Sequence, residues 1–197
     1  MNFNFNEDCI LENDVVRLQP LQVTDFEKLV EFSKNEPDIW KFNSNGPDSP
    51  ENLKKYIERA LSQKDKLIEY PFIVFDKIKQ KYTGSTRFYA MDLDGKTIEI
   101  GYTWYGKDFQ GTSINKNCKY LLLEFAFEKM KMERVGFRAN NINYRSINAM
   151  KSIGCIEEGV LRSFRYDALG NRIDAIVLSI LKEEWFATVK QNLKNRI

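Results

Sequence analysis

The feature that most constrains this chain is a strand signal that runs almost directly into a long amphipathic helix. The stretch Glu99-Ile100-Gly101-Tyr102-Thr103-Trp104 reads as strand, and Gln110-Gly111-Thr112-Ser113-Ile114-Asn115 follows after a short loop. From Ile114 the apolar residues Cys118, Leu121, Leu122, Phe125, Ala126 and Met130 recur at helical spacing. Such a junction points several backbone N–H groups at one spot, because the first amides of a helix lack internal partners. The helix dipole favours anions there, so a pyrophosphate is a natural occupant. Gly111 is the one glycine inside the turn. An ordinary strand–helix turn capped by Thr112 or Ser113 explains the same residues, and both readings stand open at this point.

The flanking segments fix the order of elements. Val15-Val16-Arg17-Leu18 reads as a first strand stopped by Pro20, and Thr24 or Asp25 caps a helix carrying Leu29, Val30 and Phe32. Breaker-rich residues 43–50 predict a loop, after which Ser49, Pro50 and Glu51 open a second helix. Strands are expected over residues 71–75, 82–89 and 97–104, the last two joined by Asp92-Leu93-Asp94-Gly95 as an antiparallel meander. After the long helix come a strand over 134–139 and a helix over 144–153, with Asn143 as N-cap and Gly154 past its end. A hairpin over 160–166 and 172–181 and a helix through Glu184 and Trp185 close the chain. Strands paired by hairpins, then helix, strand, helix and a final hairpin, predict a mixed α/β layer of the α+β type.

Composition narrows the chemistry. The 197 residues are 43% apolar and 29% charged, ordinary globular usage, with no internal repeat or interdomain linker. A single domain over 1–197 is expected, with 1–14 as an N-terminal extension. Thirty Lys and Arg against 28 Asp and Glu give +2, too little for a dedicated nucleic-acid binder. No apolar run is long enough for a membrane span, and the polar start is no signal peptide. Three scattered cysteines, Cys9, Cys118 and Cys155, suit a reducing cytoplasm. There is no histidine. That removes Ser-His-Asp and Cys-His hydrolases and most zinc enzymes, so no metal site is expected.

The order of elements and the residues together resemble the GNAT superfamily of acetyl-CoA-dependent N-acetyltransferases. The nearest branch is similar to RimJ/RimL-type enzymes, which acetylate N-terminal α-amines of ribosomal proteins. The likeness runs over most of the chain, through Val16-Arg17-Leu18, Glu99-Ile100-Gly101-Tyr102, Gln110-Gly111-Thr112 and Asn143-Tyr144-Arg145-Ser146. It continues in Ile153-Gly154-Cys155, Glu158-Gly159, Ser179-Ile180-Leu181 and Glu184-Trp185. The resemblance implies a GNAT fold: a splayed, mostly antiparallel sheet with helices on both faces. Its strand over 98–105 would part from the strand over 134–139 and admit the pantetheine arm of acetyl-CoA against main-chain groups of Trp104 and Tyr105. The pyrophosphate would lie on the amides of Gly111, Thr112, Ser113, Ile114 and Asn115, beside Gln110. The family pattern is Gln/Arg-x-x-Gly-x-Gly/Ala, and this chain departs from it with Ser113 and Asn115 at the small positions. Backbone amides still serve beneath a side chain if φ stays negative.

The same resemblance implies acetyl transfer to a primary amine by direct attack, with a peptide or ribosomal-protein N-terminus as favoured acceptor. Small-molecule amines, and a non-catalytic acyl-CoA-binding module, are the alternatives. A monomer or homodimer is expected. Transfer needs a neutral amine, a polarised carbonyl and a proton for the departing thiolate. Ser146 is the acid candidate, against a local helix-start role. The family's common tyrosine acid falls at Met150 here. Asn143 is split between N-cap and pantetheine contact. Glu99 is the base candidate, against a plain ion-paired strand residue, with Asp174 second, because the RimL-type glutamate position holds Arg165. Trp40, Phe42, Trp104 and Tyr105 would line the acceptor site or pack as core.

Overall fold

The computed structural model describes residue 4 and residues 7–42, 46–167 and 169–197. Residues 43–45 of the expected loop and residue 168 of the last turn lie outside the described residues. Eight strands form one sheet: β1 (Leu11–Glu12), β2 (Val16–Pro20), β3 (Tyr70–Asp76), β4 (Lys81–Asp92), β5 (Thr97–Tyr105), β6 (Arg134–Asn140), β7 (Ile156–Tyr166) and β8 (Arg172–Leu181). They lie in the order β1-β2-β3-β4-β5-β6-β8-β7. Every neighbouring pair is antiparallel except β5 and β6. That parallel pair joins only over Thr97, Ile98 and Glu99 against Arg134, Val135 and Gly136. Beyond it the two strands separate, so the sheet is splayed.

Helices cover both faces. On one side lie α1 (Phe26–Asn35) and α2 (Pro50–Asp65). Their Leu29, Leu53, Ile57 and Ala60 bury against Ile73 and Trp104 of the sheet. Ser49 caps α2 by accepting from the Asn52 amide, as its sequence predicts. Asp25 behaves differently from expectation: its carboxylate accepts from the Gln22 amide and the Lys28 ammonium, not from an α1 amide. Fixing the chain just before α1 satisfies the acid as well as a cap would.

On the other face lies α3 (Ile114–Glu124), which continues into a π turn, Phe125–Lys129. The chain closes with α5 (Lys182–Glu184), a second π turn (Trp185–Val189) and α6 (Lys190–Lys194). Phe127 and Trp185, both fully buried, stack across the two π turns at 5.7 Å between ring centroids. Each such side chain removed from water contributes roughly 1.5–3 kcal/mol, so this contact anchors the terminal helices. The remaining helix, α4 (Tyr144–Ser152), follows β6 and packs on it.

Residues 11–13 are tied down. Leu11 and Glu12 pair with Leu18 and Arg17 as the sheet's outermost strand on that side. Asn13 donates to the Asn117 side chain at 2.8 Å, and Asn117 in turn donates to the Ser113 carbonyl at 2.9 Å. The segment expected as an extension therefore reaches the base of α3.

Candidate active site

β5 breaks its regular alternation just where it leaves β6. Its register with β4 shifts between Arg87–Gly101 and Ser85–Trp104, and Tyr102 takes φ +51°. A bulge of this kind re-aims side chains and frees ladder groups. Beyond it, Gly84 of β4 faces the Trp104 carbonyl so closely that a Cβ would lie 2.0 Å from the oxygen. The far half of β5 is therefore pressed against β4, and its other edge is left to the splay.

A cavity of about 520 Å³ occupies that splay. It brings together Trp104, Tyr105, Gln110, Gly111, Asn115, Asn143 and Ser146 among the expected residues, along with Trp40 and Phe42. Thr112, Ser113, Ile114, Glu99 and Asp174 do not line it. Trp40, Phe42, Trp104 and Tyr105 all line this cavity, and Trp40, Trp104 and Tyr105 are buried in the core as well. Trp104 is buried between Trp40 and Phe32 in edge contacts at 5.1 and 5.8 Å, yet also forms cavity wall.

At the helix entrance the turn is open and its donors are spare. Gly111 has φ +74° and nothing within 4 Å of the place a Cβ would take. Ser113 sits at φ −69°, the negative value that lets an amide work beneath a side chain. Among the described residues the amides of Ser113, Asn115 and Lys116 make no backbone hydrogen bond, and the Ile114 amide has a long one, 3.4 Å, to the Thr112 hydroxyl. Neither Thr112 nor Ser113 closes the turn as a full cap. The Thr112 hydroxyl mainly donates to the Phe109 carbonyl, at 2.7 Å. Free amides at the positive end of a helix fit a pyrophosphate.

A polar chain crosses the mouth. Gln110 donates to the Tyr105 carbonyl at 2.8 Å and accepts from the Arg145 guanidinium of α4. The Tyr105 carbonyl, one of the main-chain groups expected to meet the pantetheine arm, is thus engaged by Gln110. Asn143 takes its N-cap role, accepting from the Ser146 amide at 3.2 Å. The Ser146 hydroxyl itself has no hydrogen-bond partner among the described residues and lines the cavity.

Glu99 is placed one layer back. Both its oxygens accept from the Arg138 guanidinium, at 2.8 and 3.0 Å from Nε and with a further bond from the terminal nitrogen. The ion-paired reading of the sequence describes its contacts. Burial, with the Glu99 carboxylate next to it, pushes the neighbouring Tyr89 phenol far above its ordinary range. Asp174 spends one carboxylate oxygen on the Ser163 amide, at 2.7 Å, in the exposed part of the hairpin.

The residue that the sequence reading missed is Lys119. It is only 5% exposed, lines the cavity, and donates to the Thr103 hydroxyl at 2.8 Å. Burial lowers its ammonium to about 8. Its neighbours Cys118 and Cys155 are buried thiols raised by burial to about 12, hence neutral near pH 7. Helical spacing marked Cys118, Leu121 and Leu122 as the inner face; in fact every residue from Asn117 to Leu123 is buried, so a lone cation in that run was the available signal.

A family model described as an acetyltransferase (GNAT) domain matches residues 16–156. The chain belongs to the GNAT acetyltransferase family. Among curated GNAT relatives, a Bacillus subtilis (strain 168) protein provisionally named ribosomal N-acetyltransferase YdaF is 28% identical over 180 residues, 88% of this chain and 94% of its own length. A solved structure from T. thermophilus, provisionally an acetyltransferase, is 31% identical, covers 99% of both chains and superposes with a TM-score of 0.86. The ribosomal-protein-S5-alanine acetyltransferase of Vibrio fischeri, 17% identical with a TM-score of 0.71 over 90% of this chain and 99% of its own, shares the fold. GNAT acetyltransferases use acetyl-CoA, and this chain is an acetyltransferase of that family. Among the described residues no cluster of metal-binding side chains occurs, and no helix is long and apolar enough to cross a membrane.

Proposed function

We propose that the chain, acting as a single domain, binds acetyl-CoA in the splay between β5 and β6 and transfers acetyl to a primary amine. The observation that carries this reading is the cavity that runs from the parted strands to Gln110, Gly111 and Asn115 at the entrance of α3. Gly111, Thr112, Ser113, Ile114 and Asn115 would hold the pyrophosphate on main-chain N–H groups. The edge of β5 at Trp104 and Tyr105 would hold the pantetheine arm, with Gln110 releasing the Tyr105 carbonyl to do so. The co-substrate supplies a thioester, an acyl group on a good leaving group.

The protein's own residues would do the rest. Ser146, which lines the cavity with no hydroxyl partner among the described residues, would donate to the sulfur as the carbon–sulfur bond breaks. Glu99 acts through Arg138, which it fixes against the cavity wall. An α-amine at a peptide or ribosomal-protein N-terminus is the favoured acceptor, supported by the names of the Bacillus and Vibrio relatives.

The test is thiol release from acetyl-CoA with peptides bearing ribosomal-protein N-termini, set beside a panel of small amines. Turnover with the peptides and not the small amines is expected. A preference for small amines would overturn the acceptor, and no calorimetric binding of acetyl-CoA would overturn the site.

A further inference from the structure

Among the described residues no carboxylate lines the cavity. Its titratable groups are Lys119, Arg138 and Arg145 with Arg165, and the phenols of Tyr89, Tyr102 and Tyr105. A reaction that strips a proton from nitrogen has no acid residue there to receive it. Resting on the reading above, we propose that Lys119 is the catalytic base of this site, taking the proton that the acceptor nitrogen loses as acetyl is transferred.

The geometry isolates Lys119 for the part. It lines the splay from α3, and its one hydrogen bond among the described residues is to Thr103 on β5. The Thr103 hydroxyl lies 2.8 Å from that of Thr86, so the contact is anchored in the sheet. Two further N–H bonds of the ammonium find no acceptor among the described residues. The groups around it carry no compensating negative charge: Cys118 on its own helix, Cys155 ahead of β7, Tyr105 on β5, and the Phe137 ring of β6 at 5.9 Å. Tyr105 is driven well above its ordinary value by burial and is neutral too. Arg138, from β6, adds positive charge already matched by Glu99. An ammonium held dry without a counter-ion gives up its proton readily, which is why burial brings Lys119 to about 8. That is the range in which a base serves best near neutral pH.

The proton balance closes within the cavity. As the carbon–nitrogen bond forms and the carbon–sulfur bond breaks, nitrogen loses one proton to neutral Lys119. Sulfur gains one from Ser146. Solvent then carries the Lys119 proton back to Ser146, and both groups are restored.

Two substitutions separate a base from a fixed charge: Lys119→Met keeps the stem, and Lys119→Arg keeps the charge but cannot lose it. Both are expected to bind acetyl-CoA as the wild type does and to lose kcat by about 100- to 10,000-fold. Wild-type kcat at saturating peptide should rise with pH through a limb near 8 that stays in place for two peptides whose α-amines differ in pKa. A second measurement needs no turnover. In protein labelled at the lysine Cε carbons, the resonance absent from Lys119→Met should titrate near pH 8. Full activity in either variant, or a resonance titrating with the other lysines, overturns the assignment. If the variants instead lose acetyl-CoA binding while the wild type retains it, Lys119 is a binding residue and the assignment fails, while the proposed function stands. A wild type that binds no acetyl-CoA overturns both.

Discussion

The Ser146 hydroxyl stands in the first turn of α4 without a partner among the described residues, while Asn143 caps the helix as its sequence predicts. The use proposed for it is chemical. Ser146→Ala is expected to lower kcat by roughly 10- to 1000-fold, the range for removing one donor to developing charge, with acetyl-CoA affinity unchanged. A helix-start role would instead cost about 1 kcal/mol of stability and leave turnover per folded molecule intact. Denaturant unfolding and steady-state rates on one preparation distinguish the two. At this scale the sequence was legible where a side chain's partner lies nearby in the chain, as for Asn143 and Ser49. It was silent where the partner comes from another strand. Nothing local to Glu99 announces Arg138, thirty-nine residues on.

The elements themselves were largely readable, since alternation and helical spacing are local properties. The strand over 97–104, the long helix, α4 and the final hairpin all stand close to their expected places. What escaped were the departures from regularity. β1 is two residues long and exists because β2 offers it an edge. The bulge at Tyr102 arises from β5 leaving one neighbour while keeping the other. The π turn in α3 lets Phe127 meet Trp185, a residue that only the folded chain brings near. The entrance of α3 carries its own prediction. Ser113 contributes an amide with negative φ, so serine there is compatible with an anion above it. Ser113→Glu would set a like charge against the phosphates and is expected to weaken acetyl-CoA binding by at least tenfold in calorimetry. Unchanged affinity would move the pyrophosphate elsewhere.

For the molecule as a whole, burying Lys119 costs stability under ordinary conditions. Below about pH 8 it is protonated in both the folded and the unfolded chain, and only the folded one holds the ammonium away from water. Between about 8 and its ordinary 10.5, the unfolded chain binds the extra proton, so stability rises with pH across that window. The full shift corresponds to something on the order of 3 kcal/mol. Lys119→Met is therefore expected to stabilise the protein at pH 7, by an amount that shrinks as pH approaches 10.5. Urea unfolding of both proteins at several pH values checks it; a variant less stable at pH 7 would mean that the charge is not a burden. An enzyme made sturdier and slower by one change has given up stability for its site.

The link from Asn13 through Asn117 to the Ser113 carbonyl has a mechanical side. Asn117 closes the first turn of α3 and holds the residue just before the helix, and its own grip is completed by Asn13, just past the outermost strand. Asn13 thus acts as a tether on the turn that presents the free amides. Its loosening would be felt first as play in that turn, before the sheet behind it gave way. Whatever pulls on residues 11–13 therefore pulls on the helix entrance, and the two ends of this lever move together.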